Sequence, residues 1–312
     1  MAQYDPLGFL APYTMQLKFC MRALCTAEEE GEKKGWDDLV PPPMAKYFAE
    51  IVSGLAELRK ISFPRSIHPE GGVKGAPSLL MFGDGSRDAY CAVAYARWPM
   101  SNGTFKCVLI SCKTRVAPRQ KISIPRLELL GALMATRLAR KIVEAFRLTF
   151  TEIRFFTDSS VVLGMLQCTS DTFLEFVGVR VAEIKKNSNV QDWCWVPTHA
   201  NPADLGTRVN VKPLDLDSNS TYQNGMSWMC QPHSEWPIKK DFAKPPQEEM
   251  RKGFTCSATN AIAPFISRFR SLQTAVRVMA TVIVACKRWR RYRRPGVQPP
   301  STAAKYIPVL NP

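Results

Sequence analysis

Four acidic residues lie in sequence contexts that could bring them together. Asp84 lies in MFGDGS, Glu128 in IPRLELLGAL, Asp158 in RFFTDSSVVLGML and Asp204 in HANPADLGTR. Grouped carboxylates could hold two divalent ions about 3.5–4 Å apart, which activate a water and stabilise the leaving oxygen of a phosphodiester. Taken singly, an Asp usually forms a turn or a helix cap, and a Glu is usually a solvated helix residue. The order of the four contexts is what favours a metal-dependent nuclease.

Predicted strands position the first acid. The apolar run of residues 78–82 stops at Gly83-Asp84-Gly85, where glycines end the strand and leave the carboxylate at the rim of a sheet. Residues 89–98 and 105–112 are rich in β-formers and are separated by a loop containing Asn102-Gly103, a strong hairpin signal. The three runs predict an antiparallel meander.

A helix and two later strands position the other acids. Apolar residues recur at helical spacing over residues 126–146, and Glu128 lies at the start of this helix, where it could also simply complement the helix dipole. The strand EIRFF ends just before Asp158, which could itself be only a helix cap. A short aromatic strand, residues 192–196, leads to Asp204. If the sheet is one domain, all four acids reach the same edge.

Four segments resemble, in order, successive blocks of the ribonuclease H region of BEL/Pao-type retrotransposon polyproteins, over about residues 78–208: IPRLELLGAL, FFTDSSVVLGML, FVGVRVAEI and WVPTHANPADLGTR. The resemblance implies an α/β fold with a ribonuclease H-like mixed five-stranded sheet flanked by helices. It also implies hydrolysis of the RNA strand of RNA/DNA hybrids. Finally, it implies that two Mg²⁺ ions, or Mn²⁺ as a substitute, bind to four acids: Asp84, Glu128, Asp158 and Asp204.

His199 follows the aromatic strand, where many cellular ribonucleases H carry a mobile histidine that assists product or proton handling. A histidine titrating near neutral pH could do this, although its loop is shorter than in those enzymes and a lone His in a polar loop is more often solvated. We therefore expect His199 to have an assisting catalytic role at most.

Basic residues before Glu128 form a candidate phosphate-binding run, although a basic loop is usually just a solvated surface. The candidates are Lys113, Arg115, Arg119, Lys121 and Arg126. Ser159 is a further candidate, because its hydroxyl and amide could face a phosphate at a helix start. With 42 Lys and Arg against 27 Asp and Glu, the net charge of +15 agrees with a nucleic-acid partner.

The composition predicts five segments. In order, these are a helical module resembling the end of a reverse transcriptase and its connection (1–70), the ribonuclease H-like domain (76–210), a linker (211–260), a basic amphipathic C-terminal helix (261–295) and a flexible tail (296–312). The segment KRWRRYRR could contact nucleic acid, serve as a nuclear address or be a solvated tail. The YxDD signature of the polymerase is absent, so no polymerase activity is expected from these residues.

Several other classes of protein are disfavoured. Ten cysteines without a CxxC pair and three histidines indicate neither a zinc cluster nor a disulfide framework. No secretory signal is visible, and the apolar stretch 275–286 is too short for a span of about 20 residues. We expect an intracellular protein, cytoplasmic or nuclear, whose partners are an RNA/DNA hybrid or other nucleic acid, and other segments of the polyprotein rather than a membrane.

The sequence also admits two alternatives to an active nuclease. The first is a catalytically inactive nucleic-acid-binding or interaction remnant of such a polyprotein, with the fold and charge kept and cleavage lost. The second, an aspartic protease built on Asp84 and Asp158, is disfavoured because that mechanism needs two Asp sharing one proton. Neither residue lies in the Asp-Thr/Ser-Gly pattern of that family.

Overall fold

The computed structural model describes residues 4–26, 28–29, 32–33, 37–146, 148–239 and 242–251, and positions 274, 277, 278, 280–282 and 284. The chain divides into two compact units, residues 1–251 and residues 252–312. The described positions of the second unit are helical. Most of the predicted basic helix (261–295) and all of the predicted tail (296–312) lie outside the described residues.

The first unit contains six α-helices and seven strands among its described residues, together with short 3-10 helices. The α-helices are α1 (Ala11–Thr26), α2 (Pro42–Leu58), α3 (Ile124–Ala145), α4 (Ser160–Gln167), α5 (Glu175–Asn187) and α6 (Thr221–Asn224). Two short strands, β1 (Glu28–Glu29) and β2 (Glu32–Lys33), pair only with each other. The main sheet contains β3 (Ser78–Gly85), β4 (Ala89–Pro99), β5 (Phe105–Val116), β6 (Ile153–Thr157) and β7 (Trp193–Trp195). No helix in the described part of the chain is long and apolar enough to cross a membrane.

The main sheet is mixed, with strand order β5-β4-β3-β6-β7. Strands β3, β4 and β5 form the predicted antiparallel meander, whereas β6 runs parallel to β3, and β7 runs parallel to β6. Parallel neighbours need a long crossover. Helix α3 supplies the connection before β6, and α4 and α5 supply the one before β7. The structure thus confirms the α/β fold with a mixed five-stranded sheet flanked by helices.

Both faces of the sheet are buried, because β3 is apolar at consecutive positions and successive side chains point to opposite faces. Leu79 and Met81 pack with residues of α3, α4 and α5. Leu80 and Phe82 pack on the other face, with residues of α1 and α2 and of the segment that follows β7. The sheet is therefore the middle of three layers.

The segment after residue 210 differs from the predicted linker. Tyr222, Met229 and Trp236 are buried on the sheet. Tyr95 donates a hydrogen bond to the Tyr222 carbonyl at 2.7 Å, and Arg97 Nε donates to the Met229 carbonyl at 2.7 Å. The sequence did not predict this packing because the apolar anchors lie in a polar stretch with no regular period.

Candidate active site

Asp84 lies near the end of β3 and is only 8% exposed. The Thr207 hydroxyl donates a hydrogen bond to Asp84 Oδ2 at 2.6 Å. Burial, and next the charge of Asp158, raise the pKa of Asp84 from 3.8 to about 6, although the Thr207 hydrogen bond opposes the rise. The carboxylate is thus held in place where the protein partly disfavours its charged form.

Glu128 lies on the second turn of α3 and faces the same region. The Ser159 hydroxyl donates a hydrogen bond to Glu128 Oε2 at 2.6 Å. Burial raises the pKa of Glu128 from 4.5 to about 7, against the effect of the Ser159 bond, and the charges of Asp158 and Asp84 add to the rise. Asp84, Glu128 and Asp158 therefore lie close enough to influence one another.

Glycines allow the backbones of α3 and β3 to meet. A Cβ on Gly131 would lie 2.2 Å from the carbonyl oxygen of Asp84, and a Cβ on Gly85 would lie 2.3 Å from the carbonyl carbon of Leu127. A Cβ on Gly83 would lie 2.9 Å from the carbonyl oxygen of Gly131. Any side chain at these positions would push the helix from the strand. This contact brings Glu128 beside Asp84. The feature of the sequence that could have indicated it is the glycines in MFGDGS and LELLGAL.

Asp158 directly follows β6. Asn201 Nδ2 donates to Asp158 Oδ1 and to the Gly83 carbonyl, both at 3.3 Å. The Trp195 indole donates to the Asp158 carbonyl at 2.8 Å. Burial raises the pKa of Asp158, while hydrogen bonds from Thr198 and Asn201 act in the opposite direction. Asn201, 2% exposed, is a positioning residue that the sequence did not single out.

Asp204 lies in the 3-10 helix Pro202–Thr207, where Asn201 caps the N-terminus by accepting from the Ala203 amide at 3.1 Å. The charge of Asp204 contributes to the raised pKa of both Asp84 and Asp158. Its Oδ2 atom also accepts a hydrogen bond from Arg208 Nε at 2.8 Å. The fourth acid thus lies near the others but is engaged with a cation.

His199 lies on the exposed surface of the 3-10 helix Thr198–Ala200. It lines a cavity of about 470 Å³ together with Asn201, Asp204 and Arg208. The structure therefore brings His199 to the neighbourhood of Asp204, whereas Asp84, Glu128 and Asp158 do not line this cavity.

The donor chemistry of the four acids fits a divalent metal, because hard cations such as Mg²⁺ prefer carboxylate oxygens. Within the described residues, no three His, Cys, Asp or Glu side chains already form a cluster that could hold an ion. The carboxylates are instead bonded to Thr207, Ser159, Asn201 and Arg208. Each of the bonds from Thr207, Ser159 and Asn201 uses one carboxylate oxygen, so metal binding would require rotation of the carboxylates toward one another rather than loss of these partners.

The candidate phosphate-binding residues are not all equally available. Arg119 and Lys121 are exposed in the loop before α3. Arg126 makes two hydrogen bonds to Glu249, and the Ser159 hydroxyl is bonded to Glu128 while it caps α4. Lys113 and Arg115 are exposed on β5 and line a separate cavity.

Comparison with solved structures finds several similar chains. Among them are the N-terminal RNase H domain of Rv2228c from Mycobacterium tuberculosis (13% identity, 40% of this chain and 86% of that chain, TM-score 0.29), RNase H1 from the halophilic archaeon Halobacterium salinarum NRC-1 (14%, 41% and 91%, TM-score 0.27) and a foamy viral protease-reverse transcriptase in complex with dsDNA (14%, 61% and 36%, TM-score 0.25). No curated protein sequence gives a significant match.

The family model described as the Pao retrotransposon-like RNaseH-like domain matches residues 1–159. This match includes Asp84, Glu128 and Asp158, whereas Asp204 lies beyond it. It covers half of the 312 residues, including four of the five strands of the main sheet. The chain belongs to the Pao retrotransposon-like RNaseH-like domain family.

Proposed function

We propose that the protein is a divalent-metal-dependent endonuclease that hydrolyses the RNA strand of RNA/DNA hybrids as part of a retrotransposon-derived polyprotein. The observation that carries this proposal is the grouping of Asp84, Glu128 and Asp158, whose pKa values are raised mainly by burial. Burying several carboxylates side by side lowers the stability of the folded protein. Groups with such perturbed pKa values are concentrated at functional sites.

The four acids are the proposed metal ligands. Bound Mg²⁺ would supply an activated water and neutralise charge on the leaving oxygen. Thr207 and Ser159 orient the carboxylates of Asp84 and Glu128 through their hydroxyl groups. Asn201 orients Asp158 in the same way. Such partners matter because a reacting phosphate must be held within a fraction of an ångström.

His199 is the proposed assisting residue, since its exposed ring lies on the cavity that Asp204 also lines. From that position its imidazole can give a proton to the leaving O3′ oxygen or help product to depart. The proposed contacts to phosphates come from Lys113, Arg115, Arg119, Lys121, Arg126 and Ser159. Discrimination of RNA from DNA needs contacts to 2′-hydroxyls.

The direct test is cleavage of an end-labelled RNA/DNA hybrid, beside double-stranded DNA and single-stranded RNA, with and without Mg²⁺. Wild type should cut only the RNA strand of the hybrid, and only with the metal. Asp84→Asn should lose cleavage while keeping the fold. Asp88→Asn is the matched control, because Asp88 is an exposed residue of the β3–β4 turn. Full activity of Asp84→Asn would refute the site assignment.

A second candidate function is nucleic-acid binding without cleavage. The ion pair between Arg208 and Asp204 favours it, because a cation already neutralises one proposed ligand. Such a protein would bind the hybrid equally in EDTA and in Mg²⁺ and would cut nothing. Arg208→Gln separates the two functions further: it frees Asp204, so that a nuclease should reach half-maximal rate at lower Mg²⁺, whereas a binding remnant should stay inactive.

A further inference from the structure

Four cationic side chains converge on one cavity away from the acids. Lys113 and Arg115 are two residues apart on β5 and therefore point to the same face of the sheet. Arg137 and Lys141 are four residues apart on α3 and lie on one side of the helix. All four line a cavity of about 210 Å³, which we call the basic cleft.

The walls of the basic cleft are well supported. Ala92, the partner of Lys113 in the sheet, belongs to the core on the α3 side. Leu133 and Leu138, which line the cleft from α3, are each 4% exposed. The ring of Tyr90 also lines it. The backbone positions of the cations are therefore set by a strand and a helix packed together, rather than by a loop.

Positive charge in the cleft is only partly balanced. Arg137 makes two hydrogen bonds to Glu183, at 2.6 and 2.8 Å. In the part of the chain that the structure describes, no carboxylate forms an ion pair with Lys113, Arg115 or Lys141. The pKa of Lys113, whose side chain is largely exposed, is lowered first by partial desolvation against the wall of the cleft and then by the charges of Lys141 and Arg115. An anion in the cleft would relieve this repulsion.

The sheet register places the cleft at a useful distance from the acids. Arg115 pairs with Tyr90, and Tyr90 pairs with Gly85, the neighbour of Asp84. Adjacent strands are about 4.8 Å apart, so the backbones of Arg115 and Gly85 are separated by about 10 Å. Because each nucleotide of a strand advances about 3.4 Å along the duplex axis, a phosphate bound at that distance lies within a few nucleotides of the acids.

We propose that the basic cleft is a phosphate-binding site that holds the backbone of the nucleic acid a few nucleotides from the acids, with Arg137 and Lys141 acting beside Lys113 and Arg115. A nucleic acid fits better than a free anion, since its next phosphates would reach the acidic site. The expectation that the bound duplex is an RNA/DNA hybrid rests on the proposed function. The proposal that the cleft binds a nucleic-acid backbone is independent of the proposed function.

The test is equilibrium binding of a fluorescently labelled RNA/DNA hybrid in EDTA, measured by anisotropy at 50–200 mM salt, so that no cleavage is needed. Lys113→Gln/Lys141→Gln should lower the slope of log affinity against log salt by about 2, and should weaken binding about tenfold at the lower salt. Lys113→Arg/Lys141→Arg keeps the charges and should bind like wild type, and urea unfolding of the Gln variant checks that its fold is kept.

The matched control is Lys106→Gln/Arg140→Gln. It removes one cation from the far end of β5 and one from the exposed part of α3, where Arg140 pairs with Glu144 at 3.5 Å. Equal slopes for control and Gln variant would overturn the proposal, as would weakened binding by the Arg variant. A Gln variant with the wild-type slope would likewise overturn it, and an acidic protein surface would then be the partner that fits the charge of this cleft. A wild type that binds but cannot cleave would refute the nuclease alone.

Discussion

The Arg126 guanidinium bonds to both carboxylate oxygens of Glu249, at 2.6 and 2.9 Å. Arg126 lies two residues before Glu128 in α3, whereas Glu249 lies near the end of the first unit. Around Glu249, the chain is fixed by backbone hydrogen bonds from Leu174 to the Glu249 carbonyl and from Arg251 to the Thr172 carbonyl, both 2.8 Å. The returning segment therefore holds the start of the helix that carries a candidate catalytic acid.

This ion pair predicts an asymmetric effect of mutation. Glu249 is 4% exposed, so Arg126→Gln would leave a buried carboxylate without its partner. We expect a loss of about 3–5 kcal/mol in the free energy of unfolding, measured in urea. Glu249→Gln should cost less, because the Arg126 side chain is 28% exposed and can turn to solvent.

The Arg137–Glu183 pair is the control for this prediction. It has the same two-bond geometry, but its side chains are 51% and 32% exposed. Arg137→Gln should therefore change the free energy of unfolding by only about 0–1 kcal/mol. Similar losses from Arg126→Gln and Arg137→Gln would contradict the role assigned to burial.

Replacement of Gly131 by Ala should damage both stability and cleavage. The added methyl would meet the Asp84 carbonyl oxygen at 2.2 Å, so α3 must move and Glu128 must move with it. We expect a loss of about 1–3 kcal/mol from overpacking, measured by urea unfolding, with a fall in kcat. Gly75→Ala is the control, because a Cβ there would meet nothing within 4 Å. A fully active Gly131→Ala protein would refute the proposed backbone contact.

The raised pKa values predict how stability depends on pH without metal. The pKa of Asp84 rises from 3.8 to about 6, and that of Glu128 rises from 4.5 to about 7. Between pH of about 4 and 7, the folded state binds more protons than the unfolded state. The free energy of unfolding therefore falls as pH increases through this range. Asp84→Asn should flatten this fall and raise the melting temperature at pH 8.

The expected gain from Asp84→Asn at pH 8 is about 1–3 kcal/mol, which corresponds to one or two pKa units. Asp88→Asn should change neither the melting temperature nor its pH profile, since Asp88 is exposed. Added Mg²⁺ should stabilise wild type more than Asp84→Asn, because a ligand stabilises the state that binds it. A wild type less stable than Asp84→Asn even in saturating Mg²⁺ would count against a metal site.

Thr207 predicts a change in the pH dependence of cleavage. Its hydroxyl donates to Asp84 Oδ2 and opposes the effect of burial on the Asp84 pKa. Thr207→Val removes that donor, so the Asp84 pKa should rise and the acidic limb of the pH–rate profile should move to higher pH. Thr207→Ser keeps the hydroxyl and should retain the wild-type profile. If the pH–rate profiles of Thr207→Val and wild type coincide, this hydrogen bond does not tune the reaction.

The sequence predicted the sheet well because its strands are apolar runs bounded by glycines and polar loops. Asp84 at the end of β3, Asp158 after β6 and the Asn102-Gly103 loop all lie where local pattern placed them, and Gly103 has a φ of +82°. The α/β fold and the family were also predicted. These features depend on short stretches of sequence, which a pattern can capture.

Long-range partners were not predictable in the same way. The basic run before Glu128 makes Arg126 a candidate for phosphate binding, but it gives no sign of the ion pair with Glu249, which lies 123 residues away. Nothing in the local sequence marks Asn201 and Thr207 as the residues that hold Asp158 and Asp84. Such side chains show no period, and only the folded sheet brings them to the acids.

The layer formed by residues 222–236 bears on how this protein can be divided. Tyr222, Met229 and Trp236 cover the same sheet face as Phe82 and Phe156, which lie within the family match. A fragment cut after residue 159, or after 210, would expose that aromatic face to water and to other chains. The first compact unit ends at Arg251. A proteolytic cut that releases a fragment with this face still covered should therefore lie beyond Arg251.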